Sequence, residues 1–177
     1  MFPKYQKLYN FDIADNENYY VAEDGILVHN GYQEAVDDIN NSNKLLDGEG
    51  EVGSFSNLKD SGSVGDNITP HHIPSDAYMT KNKIPGYTRD GGISINMEHP
   101  HPGMGGRHRQ TATYDNNMTK AEQELYWNLS PREALAYDIK DVIKIYKEQG
   151  LYNDKIRDGL LEVIKQNKIK YPNLFQK

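Results

Sequence analysis

A chain of 177 residues with 36% hydrophobic content, a mean hydropathy of −0.84 and a formal net charge of −6 has material for one modest core and a polar tail. It contains no cysteine, which excludes disulfides, thiolate zinc sites, cysteine nucleophiles and the paired-cysteine signature of zinc deaminases. No run approaches the ~18 apolar residues of a membrane span, and Met1-Phe2-Pro3-Lys4 opens no signal peptide, so the expectation is a domain that stays out of membranes.

The first elements are short strands. Leu8 to Ile13 and Tyr19 to Val28 alternate or run apolar around Asp15-Asn16-Glu17-Asn18 and an Asp24-Gly25 turn, the pattern of paired strands with tight connections. The last of them ends in Val28-His29-Asn30. A His-Asn pair is what asparagine-cyclising self-cleavage requires: the Asn30 carboxamide attacks its own backbone carbonyl while His29 protonates the departing amide. As a bare tripeptide, a surface hairpin end reads the same way. The whole string from Leu8 to Asn30 resembles the C-terminal end of Hint (intein-like) domains, which lie just upstream of the toxin modules of bacterial polymorphic toxins. Such domains begin with a Cys or Ser nucleophile and carry an upstream His block, and the chain has neither. The resemblance therefore implies a Hint remnant over residues 1–30, unable to cleave by itself.

Residues 31–66 follow as an acidic connector. Eight acids (Glu34, Asp37, Asp38, Asp47, Glu49, Glu51, Asp60 and Asp66) stand against Lys44 and Lys59, a net of −6, whereas residues 67–177 hold sixteen Lys or Arg against thirteen Asp or Glu, a net of +3. A Gly/Asn/Ser-rich acidic leader before a mildly basic body fits a flexible tether on a domain able to approach phosphate, although an ordinary mixed surface has the same charges.

The chemistry is expected next, because five of the six histidines fall within residues 71–108. Thr69-Pro70-His71-His72-Ile73-Pro74 places an adjacent pair between prolines. In an extended segment neighbouring side chains point to opposite faces, so His71 and His72 line one pocket only if the backbone bends. One can then ligate a divalent metal while the other acts as general base on water. Gly91 to Met97 reads as a short strand, and Glu98-His99-Pro100-His101-Pro102-Gly103-Met104-Gly105-Gly106-Arg107-His108-Arg109 reads as a loop in which proline and glycine prevent helix before Arg107. Arg107 and Arg109 offer planar forks for phosphate oxygens. With His101 and His108 they supply a base, an acid or metal, and a cation for the charge that develops in phosphodiester cleavage.

Helices close the chain. Thr119 with Glu122 and Ser130 with Glu133 form capping boxes, the second with Pro131 at the first helical position. Leu135, Ile139, Val142 and Tyr146 make one apolar stripe running to a Gly150 stop, and Ile156, Leu160, Val163 and Ile164 make another that ends before Tyr171-Pro172. Tyr137 and Tyr146 are expected in the core.

The order Pro-His-His-Ile-Pro, then a Gly-Ile-Ser-Ile strand, an Asn, and a further Arg-His, resembles the HNH/endonuclease VII group of toxin nucleases over roughly residues 66–114. That resemblance implies His71 as a metal ligand, His72 as the base that activates water, Asn96 as its orienting partner, and His101 and His108 as the rest of the metal shell, with His99 able to replace His101. That group separates its last two ligands by three residues on a helix, whereas six residues lie between His101 and His108. The expected fold class is α+β: a small strand-and-loop His-rich site, HNH-like with a ββα-metal arrangement as one form of it, a three-helix C-terminal support, and a β-hairpin Hint remnant ahead. The expected domains are 1–30, 31–66 and 67–177. The resemblances imply an antibacterial toxin effector, a metal-dependent endonuclease using a divalent ion (Mg, Zn, Ni or Mn), most readily on DNA. The first alternative is a metal-independent RNase with histidine acid and base, and the second a metal- or protein-binding module without catalysis. The partners implied are nucleic acid and a cognate immunity protein, for a monomer delivered as part of a larger secreted or cell-surface bacterial protein and acting in the target-cell cytoplasm.

Overall fold

The computed structural model describes residues 18–21, 26–29 and 44–175. The expected strand at Leu8 to Ile13, Asn30, and the connector through residue 43 lie outside the described residues. The chain divides into two compact units, Met1–Ser42 and Asn43–Lys177. In the first, β1 (Asn18–Val21) pairs antiparallel with β2 (Ile26–His29), Val21 opposite Ile26 and Asn18 opposite His29. The Asp24-Gly25 turn expected between them lies outside the described residues.

The second unit is mixed α+β and begins well before residue 67. Its sheet has three antiparallel strands in the order β3 (Val52–Ser54), β5 (Ile93–Glu98), β4 (Ile68–His72). Residues 52–61, read from composition as tether, thus supply an edge strand and α1 (Phe55–Ser61). The reason is local: Ser54 caps the helix by accepting from the Asn57 N–H, and Leu58 is buried. Acidic composition concealed a short amphipathic element.

Strand β5 is central because both its faces are covered. Ile93, Ile95 and Met97 are buried on one side, Ser94 and Asn96 on the other, and strands covered on both faces lose the alternating polar pattern of an exposed sheet. Between β4 and β5 runs an excursion carrying α2 (Asp76–Lys81). After β5 come α3 (Arg107–Gln110), α4 (Lys120–Trp127), α5 (Pro131–Glu148), α6 (Asp154–Lys170) and α7 (Pro172–Phe175). Both expected capping boxes form, and Asn153 caps α6. The stripe of α5 is buried as read, with Ala134 and Ile145 added, and that of α6 keeps Ile156, Leu160 and Val163 inside with Ile164 half-buried. Tyr146 is fully buried, while Tyr137 stays 39% exposed at the edge of Tyr126. No helix among the described residues is long and apolar enough to cross a membrane.

One polar knot holds the end of β4 to the helices. The Asp138 carboxylate accepts from the Tyr126 hydroxyl at 2.7 Å and the Ser75 N–H at 2.9 Å, and its other oxygen is buried without a hydrogen-bond partner. Burial, reinforced by Asp141 nearby, raises the Asp138 pKa from 3.8 to about 7 against the hydrogen bonds from Tyr126 and Ser75. A carboxyl that keeps its proton longer in the folded state stabilises the fold below its unfolded pKa, and that stability drains away as pH rises through the folded value. Stability is therefore expected to fall by on the order of a few kcal/mol between pH 3.8 and about 7 through this group. In Asp138→Asn, chemical denaturation across that range should lose this component of the slope; an unchanged slope would show that Asp138 does not titrate there.

Candidate functional site: an imidazole cluster at the sheet edge

The pairing register sorts the histidines. His71 lies opposite Ile95, and His72 opposite Ser94. Side chains directly opposite in an antiparallel pair share a face, and successive residues alternate. His71 therefore shares the face of Ile95 and Met97, and His72 shares that of Ser94 and Asn96. The backbone does not bend between the two histidines, since His72 is still within β4. They diverge.

His99 belongs with His71. Its N–H donates to the Asn67 carbonyl at 2.6 Å, which prolongs the ladder one step past Glu98, and Pro100 favours extended backbone at the residue before it. Two positions beyond Met97, His99 continues the His71 face. His108, on α3, then bridges the two. Its ring centroid is 5.1 Å from that of His71 and 5.0 Å from that of His99, and its Nδ1 lies 3.2 Å from the His99 Nδ1. Tyr114 closes the group, its ring 5.2 Å from His108 and 5.9 Å from His99. Three elements thus bring together His71, His99, His108 and Tyr114. Tyr114 was not among the residues singled out from sequence, because a tyrosine in a polar turn carries no chemical pattern of its own.

The other expected residues have different surroundings. His72 stacks on Phe55 and its Nε2 meets the Arg89 carbonyl at 2.9 Å; a donating Nε2–H leaves its Nδ1 as the acceptor nitrogen. Asn96 shares that face, and its Oδ1 is buried with no hydrogen-bond partner. His101 is exposed on the loop, its backbone N–H on Asn67 Oδ1. Arg107 is fully buried. Its Nε and Nη2 donate to Glu49 at 2.5 and 2.8 Å, its Nη1 reaches Gln149 at 3.0 Å and Glu98 at 3.3 Å, and the Tyr146 hydroxyl donates to the same Glu49 at 2.5 Å. Burial alone would raise the Glu49 carboxyl, but hydrogen bonds from Arg107 and Tyr146 hold it below its ordinary value. Glu49 is the second residue without a signal in the sequence, one acid among eight. Arg107 therefore serves the fold, and Arg109 is the cation left at the site. It donates to the carbonyls of Gly105 at 2.7 Å and Pro100 at 3.0 Å, neutral acceptors that leave its charge uncancelled.

These donations pin the Pro100–Gly106 loop beneath α3. The approach is close enough to require glycine at its end: Gly106 has φ +85°, and a Cβ there would lie 2.5 Å from Pro100 Cδ and 2.8 Å from the Glu98 carbonyl oxygen.

All three clustered imidazoles are held neutral. Burial lowers His71 well below its ordinary value, with His108 and His72 adding to it; burial, then His99, Arg109 and His72, pushes His108 down to about 4; burial and Arg109 lower His99. Neutrality fixes the proton inventory of the Nδ1···Nδ1 contact. A neutral imidazole carries one N–H. The ring that donates through Nδ1 must present a bare Nε2, and the ring that accepts must present Nε2–H. The pair thus offers one base and one acid side by side.

A metal ion is a separate matter. Two nitrogens sharing one tetrahedral zinc lie about 3.3 Å apart, given bonds of about 2.0–2.1 Å, and the His99–His108 pair has that spacing at 3.2 Å. A third donor is not in place. His71 meets the pair only through the edge of the His108 ring, centroid to centroid 5.1 Å, and among the described residues no group of three His, Cys, Asp or Glu side chains is placed to hold an ion. Searches of family models, curated proteins and solved structures give no match to this chain.

Proposed function

We propose that residues 43–177 form a nuclease domain that cleaves phosphodiester bonds with the His99–His108 pair as its proton-transfer machinery. The observation that carries the reading is the 3.2 Å contact between two half-buried, neutral imidazoles beside Arg109, whose described side-chain partners are neutral carbonyls. The bare Nε2 takes a proton from the attacking hydroxyl, the Nδ1–H between the rings shifts to its neighbour, and the neighbour's Nε2–H passes to the leaving 5'-oxygen. Each ring gains one proton and loses one, so the pair stays neutral and ends with its tautomers exchanged. That exchange readies it for the reverse roles in a second step, such as hydrolysis of a cyclic phosphate. A ribose 2'-hydroxyl is the attacking group nearest to hand, which favours RNA. Arg109 faces the negative charge that develops on the phosphorus oxygens. His71 packs edge-on against the His108 ring.

The metal-dependent reading keeps one supporting observation, the ligand-like spacing of the two Nδ1 atoms. A divalent ion held there would polarise the phosphate and activate water. The order of two antiparallel strands followed by a His-bearing helix also accords with a ββα arrangement. The Hint-like and HNH-like strings add the biological setting: the effector end of a larger bacterial toxin, delivered to the cytoplasm of a target cell and neutralised in its producer by an immunity protein.

Incubating the purified chain with plasmid, total RNA and tRNA, with and without EDTA, separates these readings. RNA cleavage that survives EDTA is expected. Plasmid cleavage abolished by EDTA would favour the metal-dependent enzyme, and intact nucleic acid throughout would remove the nuclease proposal.

A further inference from the structure

On the sheet face opposite the imidazole cluster, three planar groups are layered. The His72 ring runs nearly parallel to Phe55, with centroids 4.6 Å apart and an interplanar angle of 14°. The guanidinium carbon of Arg89 lies 4.9 Å from the Phe55 centroid. Main-chain contacts fix the assembly, because His72 Nε2 meets the Arg89 carbonyl and the Phe55 N–H donates to the Gly92 carbonyl at 2.9 Å. Gly92 lets the loop pass against the ring: a Cβ there would come within 2.5 Å of His72 Cδ2.

Arg89 differs from the other arginines of this region. Its side chain is 66% exposed, and its carboxylate neighbour, Asp76, stands at 3.8 Å, the edge of ion-pair range. A guanidinium with one side on an aromatic ring and the remainder in solvent presents a flat cationic surface, and unpaired bases stack on such planes. Lys81 and Lys83 lie on the same excursion, and Lys170 is anchored on the Gly91 carbonyl, which gives phosphates a local attraction.

We infer that Arg89 and Phe55 form a stacking platform for an unpaired nucleobase, which makes single-stranded nucleic acid or a single-stranded loop the substrate class. Bases in a duplex keep their faces inside the helix and cannot use such a plane. The inference rests on the nuclease reading, since it names the substrate class of the domain whose imidazole cluster lies on the other face of the same sheet.

The test measures binding of a fluorescent single-stranded oligoribonucleotide, and of the same sequence as a duplex, by anisotropy on the full chain carrying His108→Ala to prevent turnover. The single strand should bind more tightly than the duplex, and Arg89→Ala should weaken the single strand about tenfold while leaving the duplex unchanged. Arg89→Lys keeps the charge but loses the plane, and should weaken binding as much as alanine. Wild-type-like binding by Arg89→Lys would show that charge alone acts and overturn the platform, as would equal affinity for the two forms or no affinity for either. The two readings fail separately. Cleavage without any Arg89 effect leaves the nuclease standing and removes the platform, whereas Arg89-dependent binding without cleavage of any nucleic acid by the unmutated chain supports the platform and makes the chain a binding module.

Discussion

His108→Ala is expected to lower nucleic-acid cleavage by about 10²–10⁴-fold, the usual contribution of a positioned acid–base group, with little loss of fold. The substitution removes one partner of the 3.2 Å Nδ1 contact and strands the other with no route for its proton. His101→Ala should change the rate only slightly, because that ring is exposed on the loop. A pH–rate profile tests the same idea from another side. An ordinary histidine protonates near 6.5, whereas His108 is pushed down to about 4, chiefly by burial. Burial also lowers His99, so the pair should stay neutral below the ordinary histidine range and the acid limb of the profile should lie below 6.5. An acid limb centred near 6.5 would mean that the reacting imidazole lies outside this pair.

Glu49→Ala should destabilise the domain by about 3–5 kcal/mol, the cost of breaking a buried ion pair by removing one member, with Glu98 at 3.3 Å the carboxylate that remains. Arg107 has no exposed surface, and Glu49 takes two of its nitrogens while also accepting from Tyr146. Urea denaturation gives the number directly. Adding Arg107→Met to Glu49→Ala should recover much of the loss, since an apolar side chain in the same space needs no counter-charge. If the single variant is as stable as the parent chain, the Glu49–Arg107 pair is not what fastens this segment. The same experiment locates the start of the folded unit: removal of residues 1–42 should be tolerated, and removal through residue 50 should not.

The C-terminal half was legible in the sequence because its signals are local. Thr119, Glu122, Ser130, Pro131 and Glu133 announce helix starts within four residues, and the stripes on α5 and α6 need only a 3.6-residue period. The site was legible in its ingredients and less so in its assembly. Adjacent His71 and His72 suggested joint work, yet alternation along β4 separates them. The same rule, carried along β5, would have chosen His99 over His101, since Pro100 extends the strand by one residue and then ends it. What no local pattern contains is the partner of Arg107. Its pairing with Glu49 spans 58 residues, and from sequence an arginine beside a histidine in a glycine-rich loop looks like a phosphate ligand whichever way it turns. Segment 44–61 was misjudged for the same reason: its acids suggested solvent, and one of them is the best-buried carboxylate in the described structure.

In α3, consecutive residues have unrelated duties: Arg107 is locked in the interior, and His108 turns toward its fellow rings. For the proposed nuclease, an inert yet intact bait for an uncut oligonucleotide is made by altering position 108 and leaving 107 alone. A change at 107 removes two donors from the buried Glu49 carboxylate, so lost activity there would report the fold and not the chemistry.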